Sequence, residues 1–293
     1  MPYNPIFLNP RNIRPHHRVL AWVCVLVLAI HLLPSAILAK QSTIGGSLDY
    51  PPDIKKIIIR KELIVALPSR DQPPFFYEKD GWLQGIDIDI VRSFARELKV
   101  GIRFSRDADS QDAVVEKIAR KEADLGIGKL SRTFHRALWV RFSEPYLNMH
   151  HALALNQLRM ANMTRSNDMR AVIQKFPGTI GVLAKTAYAD LAPRNFPHAK
   201  IVEFSKWEDA VHAVQSGKID AVYRDEFEIK KLMKSDPRNT LLLRSVLLTD
   251  TNAPISIAVP YDSHHLLSLV NLYLSQRTSP PSVDVLLKLV KTP

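Results

Sequence analysis

The chain has 293 residues, 46% hydrophobic and 24% charged, with 10 Gly, 20 Pro and one Cys. That supplies one large core or two of about 100–150 residues each, and it excludes a disordered tail, a collagen-like chain and a coiled coil. One cysteine excludes an intramolecular disulfide framework or a Cys-rich zinc module, and a formal charge of +11 points to anionic partners.

Residues 1–18 carry Arg11, Arg14 and Arg18 without an acidic residue. The stretch 19–33 is then apolar apart from His31, and Pro34 followed by small residues up to Ala39 closes it. This is the anatomy of a secretory signal peptide over 1–39, which exports the remainder. The alternative is a retained anchor, since 19–39 holds 21 largely apolar residues, just enough to span a bilayer core. Without 1–39 the chain keeps 37 basic against 29 acidic residues, a charge of +8, and no cysteine. Its basic runs are no longer than Lys55-Lys56 or Lys230-Lys231 and lack interleaved aromatics, so nucleic acid is not an expected partner.

Residues 63–67 (LIVAL) predict a buried strand ended by Pro68. Ile90, Val91, Phe94, Ala95 and Leu98 recur at helical spacing and predict a helix over 87–98. A short strand at 102–104, a helix around Val114, Ile118 and Ala119, and a buried strand at 125–128 follow. Such alternation implies an α/β fold with mostly parallel sheets. A weak repeat runs through it. Asp112-Ala113-Val114 leads through a helix and turn to Ala123-Asp124-Leu125, as Asp209-Ala210-Val211 leads to Ile219-Asp220-Ala221. Two matching helix–turn–strand units argue for two similar lobes, one of 55–150 plus 252–293 and one of 151–251. The expected hinge crossings lie near 151–155 and 253–259, with a ligand cleft between the lobes.

Asp87 and Asp89, two apart at the start of the predicted helix, read first as carboxylates favouring the helix N-terminal dipole. The adjacent pairs His16-His17, His150-His151 and His264-His265 point apart on any regular element and lack acidic partners at ligand spacing, so no metal is expected.

Pro73-Pro74-Phe75 followed by Gly85-x-Asp87-x-Asp89 resembles the first lobe of bacterial periplasmic solute-binding proteins of family 3, the amino-acid-type, type II binding proteins. Further matching motifs occur in the family's order: 121–126 (KEADLG), Ser131-x-Thr133-x-x-Arg136, 142–146 (FSEPY), Lys185-Thr186 after Gly181-Val182, and 217–222 (GKIDAV) before Asp225. The resemblance covers about 60–276 and implies a two-lobe fold that captures a small polar solute in the periplasm for an ABC-type importer, as a monomer without a cofactor.

Arginine offers a planar fork for a carboxylate, and an acceptor-only aspartate suits an ammonium. By resemblance, Arg136, Ser131 and Thr133 would hold a ligand carboxylate together with Thr186, and Asp225 would take an ammonium. A hinge would close on the ligand. A cleft arginine of this kind, if solvated, would cost little stability to remove. Gln72 stands where an aromatic ring is common, with Phe75, Tyr77 or Trp82 as substitutes. Lys129 and Lys185 are extra cations, the first at a position often small or hydroxylic in the family and the second where a glycine is usual. An amino acid or related small anion is the expected ligand; facing the cleft, the two lysines would disfavour cationic side chains and suit an acidic or otherwise anionic ligand, and alternatively both face solvent. Two other functions remain open: a cyclohexadienyl-dehydratase-like enzyme using Asp225 or Glu226 as general acid, and a sensory module anchored by 19–39.

Overall fold

A computed structural model describes residues 49–163, 169–277 and 281–290; the predicted signal segment and His16-His17 lie outside the described residues. No helix among the described residues is long and apolar enough to cross a membrane. In chain order the first elements are α1 (Pro52–Arg60), β1 (Glu62–Pro68), a hairpin of β2 (Tyr77–Lys79) and β3 (Trp82–Gln84), α2 (Ile86–Glu97), β4 (Gly101–Ala108), α3 (Gln111–Ala119), β5 (Leu125–Gly126), α4 (Phe134–Ala137) and β6 (Val140–Phe142). Then come β7 (Leu147–Asn156), α5 (Gln157–Met163), α6 (Met169–Gln174), β8 (Thr179–Leu183), α7 (Ala187–Asn195), β9 (Lys200–Phe204), α8 (Trp207–Gln215), β10 (Ala221–Asp225), α9 (Glu226–Ser235), α10 (Asn239–Leu242) and β11 (Leu243–Ile255). The chain ends with β12 (Ala258–Pro260), α11 (His264–Ser275) and α12 (Val283–Leu289).

Two five-stranded sheets result, ordered β4-β1-β5-β12-β6 and β11-β7-β10-β8-β9. The parallel sheets expected from the sequence hold for β4, β1 and β5 and for β10, β8 and β9, while β12 and β6 in one sheet and β7 and β11 in the other pair antiparallel. The chain enters the second sheet at β7 and leaves it at β11, so these two strands carry both connections.

Each sheet is covered on both faces, which is why its strands read as continuous apolar runs. Alternate side chains of β1 go to opposite cores. Leu63, Val65 and Leu67 pack with Ile88, Val91 and Phe94 of α2, whereas Ile64 and Ala66 pack with Val114 and Ile118 of α3. The second sheet repeats the device: Leu153, Leu155 and Tyr223 face one core, Ala152, Ala154 and Val222 the other.

The sequence repeat has a structural counterpart. Asp124, ahead of β5, accepts from the Ile64 backbone N–H at 2.9 Å and pairs with Arg60. Asp220, ahead of β10, accepts from the Thr179 N–H at 2.7 Å and pairs with Arg159. Both backbones reciprocate, Asp124 N–H to the Ile64 carbonyl at 2.9 Å and Asp220 N–H to the Thr179 carbonyl at 3.0 Å. Each buried aspartate thus splices a helix–turn unit onto the start of a neighbouring parallel strand.

Candidate functional site

Three local structures set the site. The first is the turn after β5. Gly128 has φ +130°, and a Cβ there would lie 2.4 Å from Pro68 Cδ, so only glycine fits against the end of β1. Lys129 follows in the left-handed region at φ +51°. Its backbone N–H donates to Asp87 Oδ2 at 2.7 Å, and its carbonyl accepts from Gln111 Nε2 at 2.6 Å. Asp87 is fully buried and also accepts from the Tyr146 hydroxyl at 2.8 Å. Burial drives its carboxyl up to about 7 despite these donors. The dipole reading of Asp87 is therefore incomplete: this side chain is an internal tie that aims the Lys129 turn.

The second is the head of α9. Asp225 ends β10 and caps α9, accepting from the Glu228 N–H at 3.1 Å. An Asp followed three residues later by Glu is a capping-box spacing. Here the Glu228 carboxylate turns instead toward Lys129, which comes from the elements of the first sheet. Lys129 Nζ lies 2.9 and 3.0 Å from the two oxygens of Asp225 and 3.0 Å from Glu228 Oε1. The ammonium also sits 5.1 Å from the Phe75 ring centroid and 5.0 Å from that of Phe227. The two rings meet edge to face at 5.1 Å, and Gln72 Nε2 donates to Glu228 Oε1 at 3.0 Å. Burial alone would raise the carboxyl of Glu228, but the cations of Lys129, Arg224 and Lys231 more than offset it and hold it well below the usual range.

The third is the segment leading into α4. Arg132 N–H donates to the Pro254 carbonyl at 2.9 Å and Ser256 N–H to that of Leu130 at 3.0 Å, which fixes Ser131 beside β11. Thr133 caps α4, accepting from the Arg136 N–H at 3.3 Å. The Arg136 side chain folds back inside. Its Nε donates to Asp112 Oδ1 at 2.9 Å, and Nη1 to the Ser131 carbonyl at 3.0 Å and Gln111 Oε1 at 3.4 Å. Nη2 lies 2.8 Å from the same Asp112 oxygen as an ion pair but makes no hydrogen bond among the described residues. Arg136 is 1% exposed. The expectation of a solvated arginine is corrected: α3 and the 131–133 segment enclose it.

Of the residues singled out from the sequence, Gln72, Phe75, Lys129 and Asp225 come together in one buried cluster, and Arg136, Ser131 and Thr133 in a second. Gln111 bridges the clusters, bonding both Arg136 and the Lys129 backbone. Lys185 and Thr186 are bonded to neither cluster, although Ala187, next to Thr186, borders the same cavity as Ser131 and Thr133. Lys185, at φ +58°, pairs in solvent with Asp109 at 3.1 Å, and the Thr186 hydroxyl donates to the Leu183 carbonyl at 2.7 Å. Neither alternative for the two lysines holds for both, because Lys129 is buried and neutralised while Lys185 is exposed. Glu228, Phe227, Gln111 and Asp112 were missed. The Asp-x-x-Glu spacing at 225–228 was the available signal, since it puts both carboxylates at the first turn of one helix.

A cavity of about 20 Å³ lies beside the second cluster, bounded by Ser131, Thr133, His151, Tyr188 and Asn252 among others. That holds a water rather than an amino acid. His151 is buried there against the Tyr223 hydroxyl, and burial lowers its imidazole below the ordinary value. Among the described residues, no group of three or more His, Cys, Asp and Glu is placed to hold a metal ion.

Residues 63–280 match the bacterial extracellular solute-binding proteins, family 3. The arginine-binding periplasmic protein of Mannheimia haemolytica is 26% identical over 166 residues, 56% of this chain; the chain spans 63% of that relative's length. Among solved structures, a Streptococcus pneumoniae amino acid ABC transporter substrate-binding protein bound to L-arginine is similar at TM-score 0.62 and 24% identity, covering 80% of this chain and 96% of that one. The ancestral amino-acid-binding protein AncCDT-1, described as a precursor of cyclohexadienyl dehydratase, gives TM-score 0.59 and 24% identity, covering 80% and 97%. At these identities the structural likenesses speak for the type II binding-protein fold.

Proposed function

Because the chain belongs to the bacterial extracellular solute-binding proteins, family 3, we propose that it is exported to the periplasm and captures an amino acid or related small anion in a cleft between two lobes. In this reading 1–39 is the export signal, 55–150 plus 252–293 form one lobe and 151–251 the other. An ABC-type importer in the membrane receives the solute from the monomer, and no cofactor takes part. The observation that carries the reading is the convergence of Gln72, Phe75 and Lys129, from the elements around the first sheet, on Asp225 and Glu228 at the end of the second. Charged groups meeting this way at the crossing of two sheets suit a ligand-gated hinge. The naming of relatives as arginine-binding proteins supports the solute class.

Arg136 is the candidate partner of a ligand carboxylate, exchanging Asp112 for it, with Ser131, Thr133 and Thr186 adding donors. The enzymatic alternative needs a protonated carboxyl as general acid. Asp225 is instead ion-paired with Lys129 and Glu226 with Lys230, which favours binding over catalysis. A thermal-shift screen of the purified chain against amino acids, small dicarboxylates, opines and prephenate tests the reading. A ligand at 100 times its dissociation constant should add about 2.7 kcal/mol, with the shift lost in Arg136→Lys. No shift from any of these solutes overturns the solute-binding reading. Retention of 19–39 in the membrane fraction would then favour a sensor.

A further inference from the structure

The cluster around Lys129 Nζ has the chemistry of an ammonium cage. An ammonium has three donors, and here they meet two oxygens of Asp225 and one of Glu228, all within 2.9 to 3.0 Å. Aromatic faces on two sides complete a cation site of the kind that holds alkylammonium groups. The occupant is the chain's own side chain, 3% exposed, and it is aimed by its backbone. The left-handed turn, the Asp87 bond to its N–H and the Gln111 bond to its carbonyl leave Lys129 little freedom to withdraw. A ligand bringing its own ammonium would either displace a fully bonded lysine or stand desolvated without an acceptor. The second cluster offers the opposite chemistry: a buried guanidinium whose Nη2 makes no hydrogen bond among the described residues, next to Ser131 and Thr133.

We infer that Lys129 is the specificity-determining residue of the cleft, filling the Asp225–Glu228 cage with an internal ammonium and restricting the ligand to small carboxylates that carry no amine. This narrows the solute-binding reading and rests on it. An amino acid differs from its deaminated analogue at the atom this cage would bind, so the contrast between such a pair isolates the effect of Lys129.

The test is titration calorimetry of the purified chain and of Lys129→Ser with two pairs that differ at the amine, L-glutamate against glutarate and L-norvaline against pentanoate. The expected result is at least tenfold tighter binding of the amine-free member by the unmodified chain, with that preference reversed in Lys129→Ser. Should Lys129→Ser fail to fold, Lys129→Ser combined with Glu228→Gln removes one buried charge and takes its place. A second readout is independent of the ligand: methylammonium should raise the melting temperature of the variant and leave the unmodified chain unchanged. Amine-bearing solutes binding the unmodified chain as tightly as their analogues would overturn the inference and leave solute binding standing. A variant indifferent to methylammonium overturns the cage itself. Binding of none of the four solutes to either chain overturns the inference, and, with no shift in the broader screen, the solute-binding reading too.

Discussion

A guanidinium enclosed as Arg136 is (1% exposed) has different consequences from one in solvent. Its removal strands the Ser131 carbonyl and the Gln111 amide oxygen and leaves Asp112 without its cation. Arg136→Ala should therefore cost about 2 kcal/mol in urea denaturation, in addition to any effect on binding. Asp87 makes a pH prediction. Its folded carboxyl titrates near 7 against an unfolded value of 3.8, so the folded state binds more protons between those values. Its contribution is full below about pH 4 and is lost as pH rises through 7, with a slope of up to about 1.4 kcal/mol per pH unit. Glu228 acts with the opposite sign. Its lowered folded value contributes stability above 4.5 that is lost on acidification. Asp87→Asn keeps an acceptor for the Lys129 N–H and a group for the Tyr146 hydroxyl, so denaturation curves across pH 4–8 should lose the neutral-range decline and keep the acid one.

The elements that aim these side chains are short turns with narrow tolerance. Gly85 opens α2 at φ +119°, where a Cβ would lie 2.3 Å from the Phe75 carbonyl oxygen. Both the dihedral and the contact exclude a larger residue, and Gly85→Ala should cost about 3 kcal/mol by chemical denaturation. Because Asp87 N–H donates to the same Phe75 carbonyl at 2.9 Å, the change should also disturb the Lys129 turn and the Phe75 face of the cage. The paired splices at Asp124 and Asp220 show the same economy: one buried carboxylate satisfies a backbone donor near the start of a neighbouring strand and an arginine together.

Across the whole molecule, ion pairs of very different worth join the elements of the two sheets. Lys185–Asp109 has side chains 65% and 70% exposed, whereas Lys129 and Asp225 are each 3% exposed. Solvent screens the first pair, and Lys185→Ala should change stability by less than about 0.5 kcal/mol. Lys129→Met would leave two buried carboxylates without their cation and should cost about 3 kcal/mol or more. Guanidinium and thermal melts of the two variants side by side check the contrast, which charge alone would not anticipate.

The α/β class, the order of strands and helices around 62–128 apart from the β2–β3 hairpin, the helix–turn–strand repeat and the family resemblance were all readable from one chain, because each rests on local periodicity or on the order of short motifs. Asp225, Lys129, Gln72 and Phe75 were singled out for the same reason. Their arrangement was not readable. The ionic partner of Lys129 lies 96 residues away at Asp225 and 99 away at Glu228, and that of Arg136 lies 24 residues back at Asp112. Whether a lysine faces solvent, a ligand or an internal acid depends on which surfaces the packed sheets bring within 3 Å. A sequence specifies that Lys129 carries a charge and Asp225 can cap a helix. Only the tertiary structure joins them, since burying one charge is tolerable only where the fold supplies its opposite.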